Sequence, residues 1–370
     1  MKYYIIAGEA SGDLHGSGLM KALYKADPNA EIRFWGGDLM QQAGGTLVKH
    51  YRELAFMGFA EVIMNLKTIL GNISFCKKDI SEFKPDVIVF IDYPGFNMRI
   101  AKWAKVQGYK THYYISPQIW AWKENRIKDI RRDIDKMYVI LPFEKSFYED
   151  KHHYKVEFVG HPLIDAIHKR EKIDETTFRN ANNLDNKPII ALLPGSRKQE
   201  IIKMLAVMLS AVPNFPDYQF VIAGAPGQDF SFYEQFLKNK NVHFIANKTY
   251  DLLSISTAAL VTSGTATLET ALFKVPEVVC YKGNWISYQI AKRIITLKYI
   301  SLVNLIMDKP VVAELIQNDC NPKRIVEELK KILDPSHRNA LLSDYDTLEE
   351  LLGRTGAAEK TAKLIISNAQ

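Results

Sequence analysis

Short apolar runs alternate with helix-length amphipathic stretches through most of this 370-residue chain. That alternation constrains the fold more than any other feature. Residues 3–7, 86–91 and 189–193 have the near-continuous apolar character of strands buried on both faces. Further strand candidates lie at 32–35, 111–115, 136–140, 156–159, 219–223, 243–245, 259–262 and 278–281. Helix candidates fall between them, among them 97–107, closed by Gly108, and 120–132. Strands joined through helical crossovers pair in parallel, so the expected class is α/β, with helices covering parallel sheets. The stretch 161–187 breaks the rhythm, being charged and polar with little strand signal, and the domain boundary is placed there. The expectation is two doubly wound domains, 1–165 and 166–370, facing a cleft at the carboxyl ends of both sheets, and a C-terminus that is helical only from Asn321 onward.

Composition narrows the function classes. Hydrophobic residues make up 47% and charged residues 24%, ordinary for a globular protein. No apolar run approaches the ~18–20 residues of a membrane span, and the apolar part of the N-terminus is too short for a signal peptide. Cys76, Cys280 and Cys320 lie far apart without metal-ligand spacing, which suits a reducing, cytoplasmic setting. A formal charge of +6 admits phosphate or lipid headgroups as partners, but no dense basic run offers a nucleic-acid groove.

Several loops carry chemistry. After the run 189–193, Pro194-Gly195-Ser196-Arg197 turns the chain into a helix, so backbone N–H groups, the helix dipole and the Arg197 fork converge on one point. An anion site suited to phosphate and an ordinary turn with a surface arginine both fit that stretch alone. Ser263-Gly264-Thr265-Ala266-Thr267-Leu268-Glu269 repeats the logic: the amides can cradle a diphosphate, and Glu269 can reach a ribose diol. Two such loops favour a nucleotide-diphosphate site. Near the N-terminus, Gly8-Glu9-Ala10-Ser11-Gly12-Asp13 follows a strand but lacks dinucleotide spacing; Glu9 and Asp13 can accept from sugar hydroxyls, and Asp13 equally suits a helix cap. Asp92 ends a buried strand, where a general base is wanted, and Asn97 is positioned to cap the next helix. Ser116-Pro117-Gln118-Ile119-Trp120-Ala121-Trp122 offers rings and an amide for sugar or acyl contacts. Residues 54–73, including Phe56, Met57, Phe59, Ile63, Leu66 and Leu70, carry more large apolar side chains than one buried helix face needs. They suit a membrane interface or acyl pocket, and equally a core helix. Asp133-Ile134-Asp135 is read as a helix end rather than a metal motif, and Ser11 with His15 lacks the third member of a hydrolase triad.

Taken together, these motifs resemble the lipid-A-disaccharide synthase family. The resemblance rests on residues 7–13, 91–97 and 116–122, on Leu141-Pro142-Phe143-Glu144, Gly160-His161-Pro162, Leu193-Pro194-Gly195-Ser196-Arg197, Ser263-Gly264-Thr265-Ala266 and Ser301-Leu302-Val303-Asn304-Leu305, in family order across almost the whole chain. It implies a GT-B-type glycosyltransferase of two Rossmann-like domains that needs no metal or other cofactor. The implied reaction joins UDP-2,3-diacylglucosamine to 2,3-diacylglucosamine 1-phosphate with inversion, giving the β-1,6 disaccharide of lipid A and UDP. Ser196, Arg197, Gly264, Thr265, Ala266, Glu269 and Asn304 would then hold the nucleotide sugar. The 56–73 surface would dock on the inner leaflet of the cytoplasmic membrane, and the C-terminal helices would cross to the other domain or exchange within a homodimer. One departure stands out: Gly95 replaces the second Asp of the family's Ile-Asp-x-Pro-Asp-Phe-Asn, the proposed base. The base is therefore expected to be Asp92, with Glu9 or Asp13 as understudy. The rival readings are a UDP-sugar 2-epimerase, which needs no acyl surface, and a non-catalytic nucleotide- or lipid-binding protein.

Overall fold

The computed structural model describes residues 1–54, 66–225, 228–237, 242–283 and 297–369. Contacts divide the chain into two units, Met1–His168 with Leu352–Gln370, and Lys169–Leu351.

The first unit is built on seven strands: β1 (Lys2–Ala7), β2 (Glu31–Gly36), β3 (Thr46–His50), β4 (Val87–Ile91), β5 (Lys110–Tyr114), β6 (Lys136–Val139) and β7 (Glu157–Phe158). They pair in parallel in the order β3-β2-β1-β4-β5-β6-β7. All five residues of β4 are buried, as a strand covered on both faces requires. Tyr4, Trp35, Phe90, Phe96 and Tyr113 pack into the core on one side of this sheet. The strand order reverses between β1 and β4, and loops leaving the carboxyl ends at such a reversal line a crevice. β3 has no counterpart among the expected strands. It is a half-exposed edge strand, Thr-Leu-Val-Lys-His, whose short and mixed pattern carries little signal.

The helix Ala357–Ala369 belongs to this first unit. Asp165 accepts from Gly356 N (2.6 Å) and Ala358 N (3.3 Å), which caps that helix, and His161 N donates to Leu352 O at 2.9 Å. Lys360 Nζ reaches Phe158 O at 2.6 Å.

The second unit repeats the plan with β8 (Ile189–Leu193), β9 (Gln219–Gly224), β10 (Val242–Ala246), β11 (Ala258–Thr262), β12 (Glu277–Tyr281) and β13 (Ala313–Ile316). Their order is β10-β9-β8-β11-β12-β13, again all parallel, with the reversal between β8 and β11. β13 is another half-buried edge strand without an expected counterpart.

Two expected helices start elsewhere. The helix placed at 97–107 spans Pro94–Val106, with Pro94 in its first turn, so Asn97 sits inside it and is not its cap. The helix placed at 120–132 spans only Ile127–Asp133, because Lys123 takes a left-handed conformation (φ +57°) and Glu124–Arg126 forms a 3₁₀ turn.

Candidate functional site

In the first unit, the loops after β1 and β4 touch. The Tyr93 ring lies so close to Gly8 that a Cβ there would come within 2.3 Å of it, so only glycine fits. Asp92 and Tyr93 are both left-handed, at φ +43° and +50°. Neither is glycine, and such conformations cost on the order of 1–3 kcal/mol each unless their surroundings hold them. The surroundings do so through hydrogen bonds. Asn97 Nδ2 donates to Asp92 O (2.6 Å) and Ile91 O (3.3 Å), Tyr113 Oη donates to Asp92 O (2.5 Å), and Asp92 N donates to Tyr114 O (3.2 Å). This explains why Asn97 is fully buried within the helix instead of capping it.

The outcome is a half-buried carboxylate at a strained strand end. Burial first, and then the charges of Glu9 and Glu144, push the Asp92 pKa up to about 6, against a backbone hydrogen bond from Tyr93. That value suits a base working near neutrality. Glu9 is exposed at the head of the helix Ala10–Ala26. Gly95 follows in the first turn of the next helix, with open space where a side chain would go.

Asp13 serves as a helix cap, one of the two roles weighed for it, but for a later helix than the one it stands in. It is buried, and its carboxylate accepts from Gly37 N (2.7 Å), Met40 N (3.0 Å) and Leu39 N (3.1 Å), closing the N-terminus of the helix Asp38–Ala43. A carboxylate that accepts from three amides acts as a structural cap of that helix. Asp13→Ala strands those amides in a buried place, and we expect it to destabilise the first unit by about 2–4 kcal/mol. The check is chemical denaturation with a probe of the first unit; an unchanged midpoint would refute the cap.

Glu144, to which no role was assigned from the sequence, organises the loop after β5. Its Oε1 accepts from Ser116 Oγ (2.5 Å) and Trp120 Nε1 (3.2 Å), and its Oε2 from Leu141 N (2.9 Å) and Ile140 N (3.1 Å). Burial pushes its pKa up, opposed by those four bonds. The sequence signal was present, because Ser116 and Glu144 both stand in the motifs, but nothing in the sequence pairs them. His15 faces His161 edge-on, with ring centroids 6.4 Å apart. Burial lowers their pKa values to about 4 and about 3, so both are neutral at pH 7.

In the second unit, the neighbouring strands β8 and β11 deliver the two phosphate-type loops side by side. Gly195 is left-handed (φ +101°), and a Cβ on it would lie 2.2 Å from Glu200 Oε2. Glu200 Oε2 accepts from Ser196 N at 3.2 Å. Ser196 and Arg197 are exposed at the head of the helix Lys198–Met208, whose first amides have no intrahelical partners. After β11, Gly264 precedes the helix Thr265–Leu272; Gly264 and Thr265 are exposed and Ala266 is half-buried. Thr267 Oγ1 donates to Gly264 O at 2.9 Å, fixing the turn. Glu269 accepts from Tyr250 Oη at 2.8 Å, and burial pushes its carboxyl pKa up.

Asn304 is buried, and its amide holds its own loop: Nδ2 donates to Val312 O and Glu314 Oε1, and Oδ1 accepts from Val312 N, each at 2.9 Å. Glu314 also accepts from Ile300 N (3.0 Å) and Ser301 N (2.9 Å), while Ser263 Oγ donates to Ile300 O at 3.0 Å. Asn304 thus supports the loop beside Gly264 instead of presenting a free amide.

Of the apolar surface residues, Phe56, Met57, Phe59 and Ile63 lie outside the described residues, as does the Leu66 side chain. Leu70 is on the helix Leu66–Phe83 and is 53% exposed, and Phe75 on the same helix is 47% exposed. Among the described residues, no helix is long and apolar enough to cross a membrane, and no cluster of His, Cys, Asp and Glu is placed to hold a metal ion.

Comparisons with known proteins bear on the whole chain. The family model described as lipid-A-disaccharide synthetase matches residues 3–365. A lipid-A-disaccharide synthase of Syntrophus aciditrophicus (strain SB) is 40% identical over 373 residues, spanning 98% of this chain and 96% of that protein. One of Coxiella burnetii (strain CbuG_Q212) is 38% identical over 367 residues, with the same coverage. Among solved structures, UDP-GlcNAc 2-epimerase from Neisseria meningitidis bound to UDP-GlcNAc superposes with a TM-score of 0.71 at 15% identity, over all of both chains. The glycotransferase of kitacinnamycin superposes with a TM-score of 0.68 at 12% identity, over 100% of this chain and 99% of that one. At such identities the likeness concerns the fold, two parallel-sheet α/β units of the GT-B kind.

Proposed function

The chain belongs to the lipid-A-disaccharide synthase family and is a glycosyltransferase of lipid A synthesis; from that premise we propose how its residues divide the work. The donor is UDP-2,3-diacylglucosamine and the acceptor 2,3-diacylglucosamine 1-phosphate. The second unit holds the UDP through Arg197 and the amides of the two loops at its sheet reversal, with Glu269 toward the ribose. Asp92 of the first unit takes the proton from the acceptor 6-hydroxyl as that oxygen attacks the donor's anomeric carbon. UDP leaves from the opposite face with inversion, and its growing negative charge meets Arg197 and the backbone dipoles. The observation that carries the assignment is Asp92 itself, held at a strained strand end with a pKa of about 6.

The deciding experiment is UDP release in detergent with EDTA present, with and without acceptor, and the lipid product identified by mass. Acceptor-dependent UDP with a disaccharide product supports the reading; UDP-sugar epimer formed without acceptor rejects it. Low-identity likeness to 2-epimerases reflects a shared fold, whereas full-length relatives at 36–40% identity carry the synthase name.

We also place the protein at the inner face of the cytoplasmic membrane. Leu70 and Phe75 expose apolar surface on a helix that also carries Lys77 and Lys78, a pattern suited to an anionic lipid interface. The double variant Leu70→Ser, Phe75→Ser is expected to co-sediment about 10-fold less with phosphatidylglycerol-containing vesicles. Unchanged sedimentation would remove this face from the membrane contact.

A further inference from the structure

The loop that Glu144 anchors ends in a group of cations that the chemistry above leaves unused. Trp122 is 46% exposed. Lys123 Nζ sits 4.3 Å from its ring centroid, and the Arg126 guanidinium lies 5.9 Å from it. Arg126 is only half exposed, yet among the described residues no carboxylate pairs with it. The nearby acids are already engaged. Glu124 binds Lys151 (2.7 Å) and His152 (3.0 Å), and Arg132 binds Asp129 (2.9 Å) and Asp133 (2.6 Å). Arg126 thus rests near a ring face with no carboxylate on it among the described residues, which leaves its fork open to an anion.

Its position says which anion. Arg126 heads the helix Ile127–Asp133, which connects the carboxyl end of β5 to β6, and β5 pairs with β4, the strand that leads into Asp92. Arg126 therefore stands on the same carboxyl rim of the first sheet as the base. The acceptor is the substrate this unit receives in the reading above, and it carries a phosphate monoester at C1. On a hexose, C1 and C6 substituents project from different parts of one ring. Holding the phosphate at Arg126 therefore leaves the 6-hydroxyl of the same sugar unencumbered.

We propose that Arg126, assisted by Lys123 and oriented by Trp122, binds the 1-phosphate of the acceptor sugar and makes the enzyme select phosphorylated acceptors. This rests on the acceptor assignment above. A guanidinium fork matches a phosphate bidentately, and the cation–π contacts pre-organise both side chains for it.

The test compares 2,3-diacylglucosamine 1-phosphate with its dephosphorylated analogue as acceptors. Arg126→Ala is expected to raise the acceptor KM about 10–100-fold, the range for losing charge-assisted bonds to phosphate. The donor KM should stay within about twofold, and the preference for the phosphorylated acceptor should shrink by the same factor as the acceptor KM rises. Arg126→Lys should keep part of that preference, and Lys123→Ala should lower it a few-fold. A preference ratio unchanged in Arg126→Ala, however far turnover falls, overturns the proposal, as does a wild-type enzyme indifferent to the phosphate. Calorimetric titration with glucosamine 1-phosphate separates this from the transferase reading. Binding lost in Arg126→Ala supports the phosphate site even without turnover, and equal binding by both proteins rejects it. Failure of the wild-type enzyme to form disaccharide rejects the transferase reading instead.

Discussion

Asp92→Asn lowers kcat by about 10²–10⁴-fold, the usual worth of a general base, while UDP still binds. Asparagine keeps the shape but cannot accept a proton. The backbone bonds that hold the strand end run through the Asp92 carbonyl and amide and are untouched by the change. The pH profile gives a second signature. A base raised to about 6 must be ionised to act, so wild-type kcat/KM should fall tenfold per unit below about pH 6 and level off above it. The variant should lose that limb. Stability moves the other way. The Asp92 pKa is higher in the folded chain than its ordinary value, so its charge opposes folding above about pH 6 and the opposition fades as pH falls. Asparagine removes the charge, and the variant should melt no lower than wild type at pH 7.5. A folded Asp92→Asn enzyme with near wild-type turnover would rule Asp92 out as the base.

Arg197→Ala produces the second large effect, a fall of about 10²–10³-fold in kcat/KM. It should appear in both parameters: the donor KM rises because the ground-state diphosphate loses a partner, and kcat falls because the leaving UDP gains charge as the bond breaks. The amides at the heads of Lys198–Met208 and Thr265–Leu272 remain and set the residual rate. Lysine at 197 should restore only part of the loss, since a point charge lacks the planar fork. Steady-state kinetics over a donor series, with UDP binding measured separately, gives the answer; unchanged kinetics sinks the assignment.

The doubly wound architecture was legible because buried parallel strands such as β4 and β8 are nearly pure apolar runs and the loops after them carry glycine, proline and charged residues. The edge strands β3 and β13 were not, because a half-exposed strand mixes polar and apolar residues as a loop does. Among the candidate functional residues, strand ends pointed to Asp92, Arg197 and the 263–269 loop, but side-chain partnerships were hidden. Asp13 caps a helix that begins 25 positions later, as its bond to Gly37 and the helix start at Asp38 show. Asn97 stabilises a left-handed pair that no propensity signals, and Glu144 meets Ser116 only through tertiary folding. Arg126 showed nothing unusual in a stretch full of lysine and arginine; that no carboxylate among the described residues pairs with it is a property of three-dimensional placement.

The return of Ala357–Ala369 to the first unit has a consequence for biogenesis. The second unit is one uninterrupted segment, Lys169–Leu351, whereas the first is made of two pieces separated by it. At about 5–20 residues per second, the ribosome delivers the clasp on Asp165 tens of seconds after the first sheet has emerged. The half of the protein encoded second is therefore the first that can finish folding. The half encoded first must wait, with the surface that the last helix covers still bare.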